Sequence, residues 1–512
     1  MTKSFKKQAT IITIILILAL MSSCSDLRKN QALKKEPLNL TQGLYISNAT
    51  IISTEDGHYN PYIGHLVIEK DKIVYIDKNE PSISGTFDQI DATGKFIIPG
   101  LIDSHVHIAD VQGMLDHHIK KYPELVKEFN SQMPRSYLYY GFTTIINLGG
   151  ISDERINSFN IQPLKPDLYH IGYSGATIAN GYPMIYTPEE FRFEMEPNFI
   201  YMDSQAQNIP DKYNPSDHTP KAVVKRIKKS GAIAVKSYYE SGFGRMSNLP
   251  LPTKNIMNEL LNESHANGLV LTVHANSLAG HSFLADVGVD ILAHGLWNWE
   301  KYKDVPTDSL PLEIKETLDL QIQKQIGYTP TLTVIAGEEA LVDTKFINQP
   351  PLKKVVPKNL LEWYKTEEAQ WFAKDLFSES NAEEVHKIYG NVQAHAMLVL
   401  KYLSDNNGRI LFGTDTPSGP IYTNQPGYNG YWELKLMKKA EVPLHKILAS
   451  ATINNAKAFH LDSSLGSLAI GKKANILMMT KNPLIDIEAY DAIEKIMIGG
   501  QIIKREDVAV KE

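Results

Sequence analysis

The sequence has a single cysteine, no excess of positive charge and few long apolar runs. Cys24 is the single cysteine among 512 residues, so no disulfide can form within the chain and its stability must come from the buried core. Lysine and arginine number 52 against 58 aspartate and glutamate residues, and the net charge of −6 lacks the basic footprint of a nucleic-acid-binding protein. The 43% hydrophobic and 21% charged residues are ordinary for a globular protein.

The N-terminus has the pattern of a targeting segment. Lys3, Lys6 and Lys7 precede an apolar stretch at residues 9–21. These 13 residues are too few for a transmembrane helix, which needs about 20. A basic start followed by a short apolar run is typical of a signal peptide.

The sequence LMSSC, which ends at Cys24, resembles a bacterial lipobox, in which the cysteine is lipidated. We therefore expect a lipoprotein signal peptide over residues 1–23, lipidation at Cys24 and a polar tether over residues 24–42. The mature protein would then be extracytoplasmic and lipid-anchored to a bacterial membrane, the outer membrane being favoured by the serine after the cysteine. Plain secretion, with Cys24 incidental, is the alternative.

The most informative motif is FIIPGLIDSHVH at residues 96–107, an apolar run that ends in two histidines. Side chains alternate between the two faces of a strand, so His105 and His107 project to the same side. Two imidazoles on one side can bind one metal ion. Two histidines also occur at strand ends without binding anything, so the interpretation depends on the rest of the chain.

Four later apolar runs each end in a side chain that can take part in a metal site. The runs and the residues that follow them are 231–235 and Lys236, 269–273 and His274, 289–293 and His294, and 409–414 and Asp415. Continuous apolar runs are typical of strands buried on both faces of a parallel sheet. Helical patterns lie between them at residues 255–267 and 277–288. The alternation predicts a (β/α)8 barrel, with the active site at the C-terminal ends of the strands.

Short β-like runs flank this region on both sides, at residues 43–98 and 463–512. Neither piece has enough strands to bury a sheet alone, so we predict that the two pair into one small β-sandwich. The barrel then occupies residues 99–462, with one further strand expected at residues 329–334.

The motifs together resemble those of the metal-dependent amidohydrolase superfamily, most closely its imidazolonepropionase-like and prolidase-like branch. The matching segments are PGLIDSHVH at 99–107, GTDTP at 413–417, ASATINNAKA at 449–458 and LGSLAIGKKA at 465–474. Two positions depart from the family pattern. Asn475 stands where the family usually has aspartate. Asn276 stands where this branch often has a second histidine, and this second departure affects the expected substrate rather than metal binding.

The order of the strand-end residues is similar to that of the binuclear subtype, in which a carboxylated lysine bridges two metal ions. The resemblance implies a metal-ligand set of His105, His107, Lys236, His274, His294 and Asp415. Zinc suits imidazole and carboxylate ligands, while manganese, iron and nickel stay open.

Lys236 is the unusual member of the set. A cationic amine inside an apolar strand beside divalent cations is strongly unfavourable. Conversion to N6-carboxylysine replaces the cation with an anion that has two oxygen ligands. The alternative is an ordinary lysine that faces solvent or pairs with a neighbour such as Glu240.

The implied activity is hydrolysis of an amide, cyclic amide or dipeptide C–N bond in a small molecule. A metal-bridging hydroxide would attack the carbonyl carbon, and Asp415 would pass the water proton to the leaving nitrogen. A lactonase or esterase with the same metal centre is one alternative. A non-catalytic binding protein that keeps the fold is another, although all six ligand positions are intact.

Substrate contacts are predicted from position alone. Tyr238 follows Lys236 and Trp297 follows His294, so both are expected near the barrel mouth, although packing between barrel and helices is the commoner use of such aromatics. Asn276 and Arg245 are further candidates, the arginine as a partner for a substrate carboxylate. The expected partners are a small-molecule substrate and a membrane bound through the lipid anchor, without nucleic acid. The sequence leaves open whether the protein forms a homo-oligomer.

Overall fold

The computed structural model describes residues 37–57, 59–108, 111–243, 246–378 and 380–511. The predicted signal peptide, the lipidation at Cys24 and the candidate Arg245 lie outside these residues. The first strand begins at Leu38, so residues 38–42 are strand and not tether. The reason is that Leu40 is buried in a cluster with Tyr45 and Val67, which makes this stretch part of the core. Within the described ranges, no helix is long and apolar enough to cross a bilayer.

The described residues form strands in both terminal segments and an alternation of strands and helices between them. The strands are β1 Leu38–Ile51, β2 Tyr62–Glu69, β3 Lys72–Asp77, β4 Ile83–Asp91, β5 Phe96–Pro99, β6 Leu101–Val106, β7 Phe142–Asn147, β8 Asp167–His170, β9 Ala234–Tyr238, β10 Val270–His274, β11 Ile291–Ala293, β12 Gly327–Thr329, β13 Ile476–Met479, β14 Ile493–Ile498 and β15 Gln501–Lys504. The α-helices are Asp116–Lys121, Pro123–Tyr139, Asp153–Asn160, Arg192–Met195, Pro220–Lys229, Lys254–Ala266, Leu278–Val287, Leu312–Gln323, Leu332–Ala340, Lys358–Tyr364, Trp371–Leu376, Ala382–Asp405, Tyr428–Lys439, Leu444–Ala449 and Asn455–Ala458. The helical patterns predicted at 255–267 and 277–288 are confirmed.

The two ends of the chain share one eight-stranded sheet, in the order β15-β14-β13-β5-β1-β2-β3 with β4 also paired to β1. Strand β5 joins the halves, since it runs parallel to the end of β1 and antiparallel to β13. Leu44 and Ile46 of β1 face one apolar cluster, and Tyr45 between them faces another. The sheet therefore buries side chains on both faces, and the predicted pairing of the terminal segments is confirmed.

The middle of the chain closes into the predicted (β/α)8 barrel. Strands β6 to β8 form one parallel sheet and β9 to β12 another. One seam joins β8 to β9, where the Ile233 amide donates to the carbonyl of His170 (3.1 Å). The other seam is residues 410–416, which pair with β12 at Tyr328 and with β6 at Ser104. This segment is the eighth member of the ring.

The strand predicted at residues 329–334 is wrong beyond its first residue. Strand β12 ends at Thr329, and the helix Leu332–Ala340 begins almost at once. Thr331 turns the chain with φ of 43°. The buried carboxylate of Glu433 then accepts hydrogen bonds from the first two amides of the helix, at 2.9 and 2.8 Å. Because these amides have no partner inside the helix, a distant acceptor decides where the helix starts.

Candidate metal centre

The six predicted ligands lie at one end of the barrel, five of them at or just beyond the C-terminal end of a strand and Lys236 in the middle of one. His105 and His107 are at the end of β6, Lys236 is in β9, His274 ends β10, His294 follows β11, and Asp415 lies in residues 410–416. Parallel strands of a barrel all end on the same face, so topology brings residues from five parts of the chain together.

The four imidazoles form a row, and the carboxylate of Asp415 lies beside three of them. Ring centroids are 5.3 Å apart between His107 and His105, 4.9 Å between His105 and His294, and 4.4 Å between His294 and His274. Asp415 Oδ1 lies 2.8 Å from His107 Nε2 and 2.9 Å from His105 Nε2, and Asp415 Oδ2 lies 3.9 Å from His294 Nδ1. Ligand atoms of His105, His294 and Asp415 all lie within 4.8 Å of one another, which is compact enough for a metal ion.

The backbone holds these side chains in conformations that ordinary residues avoid. Asp415 has φ of 56° and His294 has φ of 141°. Such strain costs about 1–3 kcal/mol per residue and tends to occur at functional sites. It is stabilised by the Asp415 amide, which donates to the His105 carbonyl (2.7 Å), and by Thr331 Oγ1, which lies 3.2 Å from His294 Nδ1. At Gly413 a Cβ would lie 2.8 Å from the Cβ of His105, so the close approach requires glycine.

Asp103 ties the end of β6 to residues 410–416. Its carboxylate accepts hydrogen bonds from Thr414 Oγ1 (2.7 Å), from the Thr414 amide (3.1 Å) and from the His105 amide (3.2 Å). Burial nevertheless raises the pKa of Asp103 to about 7. These bonds fix the separation between His105 and the neighbouring Asp415.

Several buried nitrogens of the site have no hydrogen-bond partner among the described residues: Lys236 Nζ, His105 Nδ1 and His274 Nε2. An unpaired buried polar group costs about 1–3 kcal/mol. Burial lowers the pKa of Lys236 to about 7 and that of His105 to about 3, and it also lowers the pKa of His274 and His294. Neutral imidazoles with free lone pairs are the form that binds metal. The donor set therefore fits divalent metal ions.

Asp415 supplies the anion of the row. Burial by itself favours the neutral acid, but the adjacent imidazoles, chiefly those of His105 and His294, hold the pKa of Asp415 well below its usual range. The side chain is therefore a carboxylate at neutral pH, which is the form that can bind a cation or accept a proton.

Glu240 contacts the His274 end of the row. The sequence suggests it only as a salt-bridge partner for Lys236, and the structure does not form that pair. Instead Glu240 Oε2 lies 3.7 Å from His274 Nε2, and Oε1 accepts a hydrogen bond from the Gly242 amide (2.9 Å). The signal that could have found it is its even spacing from Lys236, which places both side chains on one side of an extended chain.

Two of the predicted substrate contacts lie beside the predicted metal ligands. The Tyr238 ring lies under Lys236 Nζ, with 5.8 Å between that atom and the ring centroid. The Trp297 ring centroid is 5.3 Å from that of His294. Asn276 is buried, and its carbonyl accepts hydrogen bonds from the amides of Trp297 (3.0 Å) and Asn298 (2.9 Å), so its backbone holds the loop that carries the tryptophan.

An aromatic cluster around Tyr182 extends the site, and the sequence did not reveal it. Its ring centroid is 4.7 Å from that of His274, and 5.7 Å from both Tyr238 and Phe243. Tyr186, at 5.8 Å, is 52% exposed and Phe243 is 48% exposed, so this cluster opens to solvent. Tyr182 lies in an aperiodic loop after β8, where no local pattern indicates a role.

A (β/α)8 barrel with histidines, a lysine and an aspartate at its strand ends has the architecture of a metal-dependent hydrolase. The chain belongs to the amidohydrolase family, whose sequence model matches residues 96–503. Members of this family depend on metal ions, and the chain is a hydrolase of carbon–nitrogen bonds.

Several solved structures share the fold. A prolidase complexed with N-methylphosphonate-L-proline is 16% identical, with 90% of this chain and 100% of that chain covered and a TM-score of 0.62. A Xaa-Pro dipeptidase with bound methionine is 19% identical, with coverages of 90% and 100% and a TM-score of 0.59. The ochratoxinase of A. niger is 18% identical, with 91% of this chain and 96% of that chain covered and a TM-score of 0.61. At such identities the likeness shows the fold alone. No curated protein matches the chain in sequence.

Proposed function

We propose that the protein hydrolyses the amide C–N bond of a dipeptide or an N-acylated amino acid at a centre of two divalent metal ions. The observation that carries the proposal is the convergence of the six predicted ligands on one mouth, where buried nitrogens lack hydrogen-bond partners. The names of structural relatives, a prolidase and a Xaa-Pro dipeptidase, support this substrate class. The open aromatic cluster around Tyr182 suits an apolar side chain of the substrate.

The ligands divide between the two ions. His105, His107 and Asp415 would hold one ion, His274 and His294 the other, and carboxylated Lys236 would bridge them. Zn²⁺ suits this mixture of imidazole nitrogen and carboxylate oxygen best. When bound, the ions polarise the scissile carbonyl and lower the pKa of the attacking water.

Lys236 is suited to carboxylation. Its Nζ is buried and unpaired, and burial lowers the pKa of the amine to about 7, so a large neutral fraction is present at neutral pH. The neutral amine attacks carbon dioxide, an N–C bond forms, and one proton is released. The product is an anion that replaces the unpaired amine and has two oxygens that could bind metal ions.

Asp415 is the group that moves the proton. As a carboxylate it can accept a proton from the attacking water at Oδ2, the oxygen that lies farther from the imidazoles. It then donates that proton to the leaving nitrogen, which departs as a neutral amine. Oδ1 lies close to the Nε2 atoms of His105 and His107, so these three atoms would bind one ion together, which would hold the carboxylate in place and leave Oδ2 to accept the proton.

The test is a substrate panel assayed with the full chain loaded with Zn²⁺. The panel contains dipeptides with and without proline, N-acetyl amino acids, simple lactones and carboxylic esters. We expect hydrolysis of one or more amide substrates, with kcat/KM above that for the lactones and esters. Cleavage of lactones or esters alone would make the protein a lactonase or esterase and contradict the proposal.

We further propose that Cys24 is lipidated and anchors the protein to the outer membrane of a bacterium. The support is the basic start, the short apolar run and the small residues before the cysteine. One acyl chain anchors only marginally, so several chains are needed. In cells fed a labelled fatty acid, wild-type protein should carry label in the outer-membrane fraction, whereas Cys24→Ser should not. Unlabelled, soluble wild-type protein would contradict the anchor and favour plain secretion.

A further inference from the structure

We propose that Glu240 is an additional metal ligand, binding the same divalent ion as His274 at the end of the imidazole row that Asp415 does not contact. The inference rests on the metal centre of the proposed function, but it does not depend on which substrate is hydrolysed.

The first support is the geometry of the imidazole row. Asp415 lies within 4 Å of three of the imidazoles, and Glu240 lies beside the fourth, with Oε2 3.7 Å from His274 Nε2. That nitrogen is buried and has no hydrogen-bond partner in the described part of the chain. Two ligand atoms on one tetrahedral ion, with bonds of about 2.0–2.2 Å, lie roughly 3.3–3.6 Å apart. The observed distance is therefore close to that of two ligands of one ion.

The second support is the buried position of the Glu240 side chain. Glu240 is only 7% exposed, and the Gly242 amide holds Oε1, so that Oε2 is the oxygen directed at His274. Among the described residues, no lysine or arginine lies within 4.0 Å of Glu240. A buried carboxylate without a cationic partner is strongly unfavourable, and a divalent ion would supply that partner.

The third support is the charge balance. Two divalent ions would bring four positive charges, whereas the side chains of the proposed ligand set would bring two negative charges, from Asp415 and carboxylated Lys236, with the imidazoles neutral. Glu240 raises the negative total to three. Glu240 would add this charge at the ion bound by His274. The other proposed ligands of that ion are neutral imidazoles and the bridging carboxylated Lys236.

The fourth support is the spacing of Glu240 along the chain. Lys236, Tyr238 and Glu240 are spaced by two along the end of β9 and the chain that follows it. In an extended chain, residues with this spacing project to one side. Lys236 and Tyr238 already lie at the barrel mouth, so Glu240 continues the same edge of the site.

The experiment compares the full chain with Glu240→Gln during titration with Co²⁺, followed by its visible absorption and by metal content. We expect wild type to bind two ions. Glu240→Gln should bind one of them at least tenfold more weakly, with a changed absorption band, because an amide oxygen is a poor replacement for a carboxylate. Glu338→Gln is the control, since this carboxyl contacts Tyr389 and none of the predicted ligands, and it should titrate like wild type.

A crystal structure of the Co²⁺-loaded wild type keeps the inference testable should Glu240→Gln fail to fold. A Glu240 oxygen within bonding distance of an ion would support the proposal. A Glu240 that accepts a hydrogen bond from His274 without touching metal would overturn it, as would an unchanged Co²⁺ titration in Glu240→Gln. Wild type that binds two ions but cleaves no panel substrate would refute the proposed function and leave the role of Glu240 standing.

Discussion

Replacing Asp415 with asparagine is expected to lower kcat by about 10²–10⁴-fold, the usual contribution of a positioned acid–base group. The amide cannot accept the water proton, and it removes the negative charge beside His105 and His107. The fold should survive, because asparagine tolerates the left-handed backbone with φ of 56° at this position. The backbone hydrogen bond to the His105 carbonyl is also independent of the side chain.

Steady-state kinetics of metal-loaded protein provide the measurement, with circular dichroism and metal content recorded for each variant. Asp405→Asn is the matched control, since Asp405 forms a surface pair with Lys401 (3.1 Å), and it should turn over like wild type. Wild-type turnover in metal-loaded Asp415→Asn would remove Asp415 from the mechanism.

Replacing Lys236 with alanine is expected to lower the metal content by about one ion per chain and to reduce turnover to near background. Lys236 is 2% exposed with an unpaired Nζ, so no surface role accounts for its position. In the proposed centre it supplies the anionic bridge between the ions. Added acetate or propionate should partly restore both metal content and turnover, because a small carboxylate can occupy the space left by the side chain.

The control is Lys229→Ala, which removes an exposed lysine from the last turn of the helix Pro220–Lys229 and should change neither property. Metal analysis and kinetics are read together with crystallographic density at Lys236 in the wild type. Density for an unmodified amine with two metal ions present would refute the carboxylated lysine. Full occupancy of two ions in Lys236→Ala would contradict the bridging role.

The part of the site that could be predicted from sequence is the part tied to strand ends. Each of Lys236, His274, His294 and Asp415 follows a continuous apolar run, and barrel topology guarantees that such ends meet. The contact of Glu240 with His274 and the position of Tyr182 could not be predicted, because both residues lie in loops after the strands. Their contact with His274 depends on how those loops fold back across the mouth.

The errors in the fold have similar causes. The apolar sequence at residues 329–334 suits a strand, yet the turn at Thr331 and the distant acceptor Glu433 start a helix there. The bounds of strand β4 are not visible in the sequence, because its side chains are mostly exposed and polar and it lacks an apolar stripe. The pairing of the terminal segments was predictable, since neither could bury a sheet alone.

The most direct test of the account is to strip the full chain of metal with a chelator and titrate it with Zn²⁺ while following amide hydrolysis and metal content together. The account predicts no turnover in the metal-free protein and a rise to a maximum at about two ions per chain. Turnover that persists in metal-free protein, or the absence of C–N cleavage with two ions bound, would contradict it.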